Sequence, residues 1–214
     1  MPDEFRLLHA DTHLLVLDKP AGLLAVPGRG ADKQDCLSHR VQTRFPDALV
    51  VHRLDMATSG LMVMARDLPS QRALSQAFAD RKVHKRYAAV VDGCLGSPGG
   101  DWQMIDLPIR VDWPRRPLRI VDPLQGQSSQ TRWRTCSYDD QAHTTRLALE
   151  PLTGRSHQLR VHLQALGHPI LGDTLYADPR VQALSGRMLL HACALELAHP
   201  ARGERLRFDS PAPF

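Results

Sequence analysis

Lysine is nearly absent from this sequence. Of its 27 basic side chains only Lys19, Lys33, Lys82 and Lys85 are lysines, which leaves 23 arginines. A guanidinium offers a planar fork that matches phosphate and stacks on bases. A GC-rich coding sequence would produce the same bias. Cysteine is sparse too: Cys36, Cys94, Cys136 and Cys193 are scattered along 214 residues, none at zinc-ribbon or redox-motif spacing. That argues against a disulfide framework and leaves the cysteines as reduced packing residues. No apolar run approaches the ~18 residues of a membrane span. Met1-Pro2-Asp3-Glu4 is acidic and lacks the basic start of a signal peptide. A soluble, cytoplasmic protein with no membrane partner is expected. Several chemistries are missing as well. No HExxH-type pattern occurs, and His157 and His162, five apart, do not share a helix face, so no metal site is expected. There is neither a glycine-rich phosphate loop nor a serine nucleophile elbow.

What is present suits a globular protein. Hydrophobic residues make up 43% and charged residues 23%, with a net charge of +4. A chain of this size buries roughly 70% of its unfolded surface. The expectation is one domain over residues 1–214, acting as a monomer. Strands are expected at 13–17, 60–65, 87–91, 131–137, 144–150, 188–197 and 206–208. Helices are expected at 35–45, 70–79 and 156–166. The stretch 95–126 is rich in Gly and Pro and predicts little regular structure beyond residues 105–109. Strands dominate without regular alternation with helices. That favours an α+β fold with a mostly antiparallel sheet.

Three segments could carry chemistry. Val51 to Gly60 packs His52, Arg53, Asp55, Thr58 and Ser59 into a loop before a strand. Such crowding is a common active-site layout, and a capped turn is the alternative. Arg81-Lys82-Val83-His84-Lys85-Arg86-Tyr87 is a cationic run ending in an aromatic. It suits RNA, where cations meet phosphates and a ring stacks on a base. A helix end whose cations complement the dipole would look alike. Leu152 to His162 reads as a strand, a Gly turn and a helix start, aiming amides and Arg155 at an anion. If Arg160 faces inward, it needs a carboxylate partner.

Taken together and in order, these segments resemble the RluA family of pseudouridine synthases. The likeness rests on His52-Arg53-Leu54-Asp55 with Thr58-Ser59-Gly60, on Lys85-Arg86-Tyr87-Ala88-Ala89, and on Gly154 to His162. It continues through Gly167-His168-Pro169-Ile170-Leu171-Gly172-Asp173 and Leu189-Leu190-His191-Ala192. Leu17 to Leu24, Val26-Pro27-Gly28-Arg29 and Asp112-Trp113-Pro114-Arg115-Arg116-Pro117 fit as well. Residues 94–104 and those after Arg116 are less similar.

The resemblance implies a bent antiparallel sheet crossed by an RNA-binding cleft, no S4 domain, and no required cofactor or metal. It implies isomerisation of specific uridines to pseudouridine. Within the family, the likeness points to members acting on both 23S rRNA and the tRNA anticodon stem-loop. Asp55 matches the family's aspartate, serving as nucleophile at the anomeric carbon or as base at the neighbouring sugar carbon. Arg160 matches the arginine that keeps it ionised, so an Asp55–Arg160 pair is expected. Tyr87 matches the tyrosine that stacks on the target base. Arg53 is expected to fill the space left by a flipped base. His52 and Leu190 join the substrate-binding set, and Arg155, Lys82, Lys85, Arg115 and Arg116 are expected phosphate contacts.

Overall fold

The computed structural model describes residues 5–214; the acidic opening Met1–Glu4 lies outside them. In chain order the elements are β1 (Arg6–Ala10), β2 (Leu14–Lys19), α1 (Leu37–Arg44), β3 (Leu49–Val50), β4 (Ser59–Ala65) and α2 (Leu68–Ala79). There follow β5 (His84–Asp92), β6 (Gln103–Asp106), β7 (Ile109–Val111), β8 (Arg119–Val121), β9 (Gln130–Asp139) and β10 (Thr144–Pro151). The chain ends with α3 (Gln158–Ala165), α4 (Pro179–Ala183), β11 (Leu190–Ala198) and β12 (Arg205–Asp209). The content is α+β, as the sequence predicts. The described residues divide into two compact units: those up to 85 with 192–213, and residues 86–191 with Phe214.

In the first unit the strands run β1-β2-β4-β11, with β3 beside β4 and β12 beside β11. β2 and β4 pair antiparallel, Leu14 opposite Ala65 and Lys19 opposite Gly60. Both strands are near-continuous apolar runs because both of their faces are buried. Leu14, Val16, Leu61, Val63, Leu74, Val83, Leu195 and Leu197 form one core cluster. Each such side chain contributes roughly 1.5–3 kcal/mol on full burial. Helix α2 starts where Asp67 accepts the Ser70 N–H at 2.7 Å, with Pro69 in its first turn. It ends at Ala79, and beyond it the Arg81 backbone is left-handed (φ 59°) while Lys82 N–H closes on Ala77 O at 2.9 Å. Gly60 sits where β4 meets β11: a Cβ there would lie 2.4 Å from Ala192 O, and its φ is +112°. No other residue fits that position without displacing backbone.

The second unit orders its strands β5-β10-β9-β6, all antiparallel, with β7 and β8 as a separate hairpin. β9 and β10 turn around Asp139, whose Oδ1 accepts the Gln141 and Ala142 N–H groups, both at 3.0 Å. Two expectations are corrected. Residues 95–126 hold three short strands, because β6 finds the edge of β9 and Ile109 pairs with Val121. Cys94 and Cys136 are exposed, so only Cys36 is a fully buried packing thiol. The sequence reading also passes over β1 and the five-residue α4, which Asp178 caps at Val181 N–H.

Among the described residues no helix is long and apolar enough to cross a membrane.

Candidate active site

In the first unit, His52, Arg53 and Asp55 lie between β3 and β4. Buried Leu54 roots this segment, leaving Arg53 exposed and Asp55 half-buried. Asp55 C=O accepts Thr58 N–H at 3.1 Å, closing a turn whose next residues, Thr58 and Ser59, are buried. A fully buried cation holds the segment from below. Lys19 has no exposed surface, and its Nζ donates to Pro20 O at 2.8 Å, Leu23 O at 2.7 Å and Met56 O at 3.1 Å. Met56 O also accepts Gly22 N–H at 2.8 Å. The Asp55 turn and the loop after β2 are thereby fastened through one carbonyl. Desolvating an ammonium is costly, so several carbonyl dipoles converge on it.

His52 points inward. Its ring stacks on Phe78 (centroids 4.3 Å apart), and Nε2 accepts Val63 N–H at 3.0 Å. An Nε2 that accepts carries no proton, so the ring is neutral with its proton on Nδ1. Burial and the nearby Lys85 charge hold its pKa down to about 3. Burial, and then the Arg81 charge, lower the Lys85 pKa as well. Lys82 is exposed and pairs with Asp80 at 3.1 Å.

The second unit holds Tyr87, Arg115, Arg116, Arg155, Arg160 and Leu190. Tyr87, half-buried, stands opposite Leu149 in the β5–β10 ladder. Arg160 does face inward, 4% exposed, and meets a fully buried carboxylate: Asp173 takes Nε at 2.7 Å and Nη2 at 2.6 Å. Asp173 Oδ1 also accepts the Leu175 and Tyr176 N–H groups, and the Arg160 guanidinium lies 5.0 Å from the Tyr176 ring centre. The pair fixes the guanidinium plane. Asp173 lies in a segment quoted for the family likeness, yet sequence spacing offers no sign that it faces α3.

A second side chain missing from the sequence-derived set organises the turn before α3. Gln158 is buried, and its Oε1 accepts Thr153 Oγ1–H at 2.7 Å and Arg155 N–H at 3.0 Å. Its Nε2 donates to Gln130 O at 2.9 Å and Thr131 Oγ1 at 3.0 Å. Thr131 passes the direction on to His162 Nδ1 at 2.9 Å, and His162 Nε2–H donates to Leu107 O at 3.0 Å. Burial lowers the His162 pKa, consistent with this neutral ring. The expectation that the turn offers free amides to an anion is therefore corrected at one position: Arg155 N–H is spent on Gln158. His157, the residue before α3, has φ 58° and no capping bond; its Nδ1 pairs with Tyr176 OH at 2.7 Å.

The remaining candidates lie apart from this network. The Arg155 side chain is exposed and reaches Ser128 O at 3.4 Å. Arg115 and Arg116 stand on the β7–β8 hairpin. Arg115 Nε binds Asp112 at 2.6 Å, and Arg116 stacks 3.8 Å from the centre of the Trp113 ring, which is 61% exposed. Leu190 is buried at the start of β11.

These arrangements hold one carboxylate at the surface of a rigid turn and one guanidinium in a fixed plane. A comparison with known proteins gives the family. The sequence model of the family described as RNA pseudouridylate synthase matches residues 13–165. The dual-specificity RNA pseudouridine synthase RluA of Escherichia coli K12 is 45% identical over 97% of this chain and 93% of its own. The protein of the same name from Yersinia pestis is 47% identical, covering 97% and 99%. Among solved structures, human RNA pseudouridylate synthase domain containing 1 superposes with a TM-score of 0.81 at 27% identity, covering 99% of this chain and 85% of that one. Human RNA pseudouridylate synthase domain containing 4 gives 0.75 at 26%, covering 97% and 88%. The chain is a member of the RNA pseudouridylate synthase family, an enzyme that converts uridine in RNA to pseudouridine.

Proposed function

We propose that this enzyme modifies uridines in both 23S rRNA and the tRNA anticodon stem-loop. The observation that carries this reading is the near full-length likeness to two synthases described as dual-specificity. The matched family region, 13–165, runs through both compact units, which supports treating the chain as one catalytic domain. We place it in the cytoplasm as a monomer, where its RNA substrates are made.

In the reaction the C1′–N1 bond of uridine breaks and a C1′–C5 bond forms. A proton leaves C5 and N1 gains one, so nothing is consumed. Asp55 opens it, either by attacking C1′ or by taking the C2′ proton. Arg160 keeps that carboxylate ionised, Tyr87 stacks on the detached uracil, and Arg53 enters the space the flipped base leaves. Flipping costs a few kcal/mol, which contacts such as Arg53 offset. Lys82, Lys85, Arg115, Arg116 and Arg155 contact phosphates, and His52 and Leu190 complete the substrate-binding set.

Pseudouridine mapping of total RNA tests the reading, using a strain without this gene complemented by wild type or by Asp55→Asn. Loss of specific 23S rRNA and tRNA pseudouridines, restored by wild type alone, is the expected outcome. Restoration by Asp55→Asn would remove Asp55 from the chemistry. Loss confined to one RNA class would sink dual specificity. Arg53→Ala is expected to lose turnover on structured RNA, and unchanged modification would end its role in flipping.

A further inference from the structure

The second unit's sheet has two unlike faces. Helix α3 covers one: Gln158 and His162 both reach Thr131, and buried Trp133 and Leu149 stand opposite one another in the ladder. Side chains alternate along a strand, so Arg132 and Arg134 point the other way. Register brings them together with residues far apart in sequence. Arg132 stands opposite Glu150 on β10 and Met104 on β6, and Arg134 opposite Ala148. Arg86 on β5 reaches Glu150 at 2.6 Å.

These three arginines converge on one ring. The guanidinium carbons of Arg86, Arg132 and Arg134 lie 5.8, 5.0 and 5.0 Å from the centre of Trp102. Arg86 and Arg132 share Glu150, the latter at 3.3 Å, and their side chains remain 44% and 41% exposed. Among the described residues no carboxylate pairs with Arg134, which is exposed. Arg134 thus adds a positive charge beside two guanidiniums that share Glu150. Like charges gathered around one ring repel. A guanidinium packed by its face on indole still presents N–H groups at its edges, the geometry that grips phosphate in pairs.

We propose that this Arg86–Arg132–Arg134–Trp102 face is a second RNA-contacting surface, which takes the phosphate backbone of the substrate outside the target loop. It rests on the RNA-modifying reading and extends it to a face that none of the expected contact residues occupies. The cluster carries cations and a ring but no array of base-reading groups. It adds affinity for long or structured RNA and leaves the choice of uridine alone.

The test is the salt dependence of binding to labelled total tRNA, by fluorescence anisotropy. Compared are wild type, Arg132→Ala/Arg134→Ala, and Arg132→Lys/Arg134→Lys. Two lost phosphate contacts should lower the slope of log K against log salt by about 1.4–1.8. The lysine pair keeps the charge and should keep most of the slope. Thermal melting shows whether each variant is folded. Should the alanine pair melt early, Arg134→Ala alone, at an exposed side chain, serves as the second variant: a slope lower by about 0.7–0.9 is expected, and an unchanged one overturns the proposal. An unchanged slope in a folded alanine pair overturns the proposal, as does an equal loss in both pairs, since charge would then not be the cause. Wild-type pseudouridine formation on the same RNA, measured in parallel, separates failure of this surface from failure of the enzymatic reading.

Discussion

Two turns carry the expected chemistry, and they are held in opposite ways. The Asp55 turn is fastened by a cation: Lys19 can only donate, so it gathers carbonyl oxygens of Pro20, Leu23 and Met56. The turn before α3 is fastened by an amide: Gln158 donates and accepts, so it ties an N–H, a carbonyl and two hydroxyls into one directed chain. The first device holds a half-buried carboxylate on a fixed turn. The second leaves a buried arginine whose plane Asp173 fixes. Around Asp55 the protein fixes backbone. Around Arg160 it fixes the side chain itself.

Substitutions can break this contrast. Asp173→Ala should do most damage, because it removes the acceptor of two Arg160 N–H groups in a dry site. Breaking a buried pair costs ~3–5 kcal/mol, read by urea denaturation. Asp173→Glu, longer by one methylene, should restore part of the stability and little of the turnover if the guanidinium plane matters. A stability loss under 1 kcal/mol for Asp173→Ala would show that the pair is not structural.

Lys19→Met should follow, at ~1–3 kcal/mol for each buried carbonyl left without a partner. Met56 O keeps Gly22 N–H, so the loss should fall on Pro20 and Leu23. Turnover should drop further than stability alone accounts for, since the Asp55 turn loses an anchor; turnover that tracks stability would deny Lys19 a positioning role.

Gln158→Glu sharpens the other half. An ionised Glu keeps acceptors for Thr153 and Arg155 but cannot donate to Gln130 O. Protonation restores one donor, so its stability deficit relative to wild type should shrink as pH falls from 7 to 5. A deficit that is flat or grows with acid would contradict the directed chain.

His52 supplies the test that turns on pH alone. Its folded pKa of about 3 lies below the ordinary 6.5 of a histidine, so the unfolded state takes up the proton first. Its contribution to stability is full above pH 6.5 and shrinks as pH falls from there toward 3. Unfolding free energy in His52→Gln should therefore decline less over that range than in wild type. Equal declines would mean that His52 titrates normally.

Much of this was legible in the residues. The apolar runs at 14–17 and 60–65 are long enough to announce buried strands, and the helical spacing of Leu74, Ala77 and Phe78 places α2. β1 escaped because Arg6 to Ala10 is an edge strand with a bulge between Leu7 and His9, which blurs its alternation. β6 escaped because Gln103 to Asp106 is a strand only where β9 offers an edge. That an inward Arg160 would need a carboxylate partner followed from the cost of burying a charge. Asp173, 13 residues away across a loop, was beyond reach of that argument.

The sequence by itself determined the family, the expected reacting groups and the α+β class, because motif order and hydrophobic period are properties of the chain. Tertiary structure alone decided which buried groups hold those motifs still. It made Lys19 an anchor, Gln158 a relay and Asp173 a partner, and it gathered three arginines on Trp102. Hydrogen bonds and cation–ring contacts act over a few ångströms, and only strand register and packing bring distant residues that close.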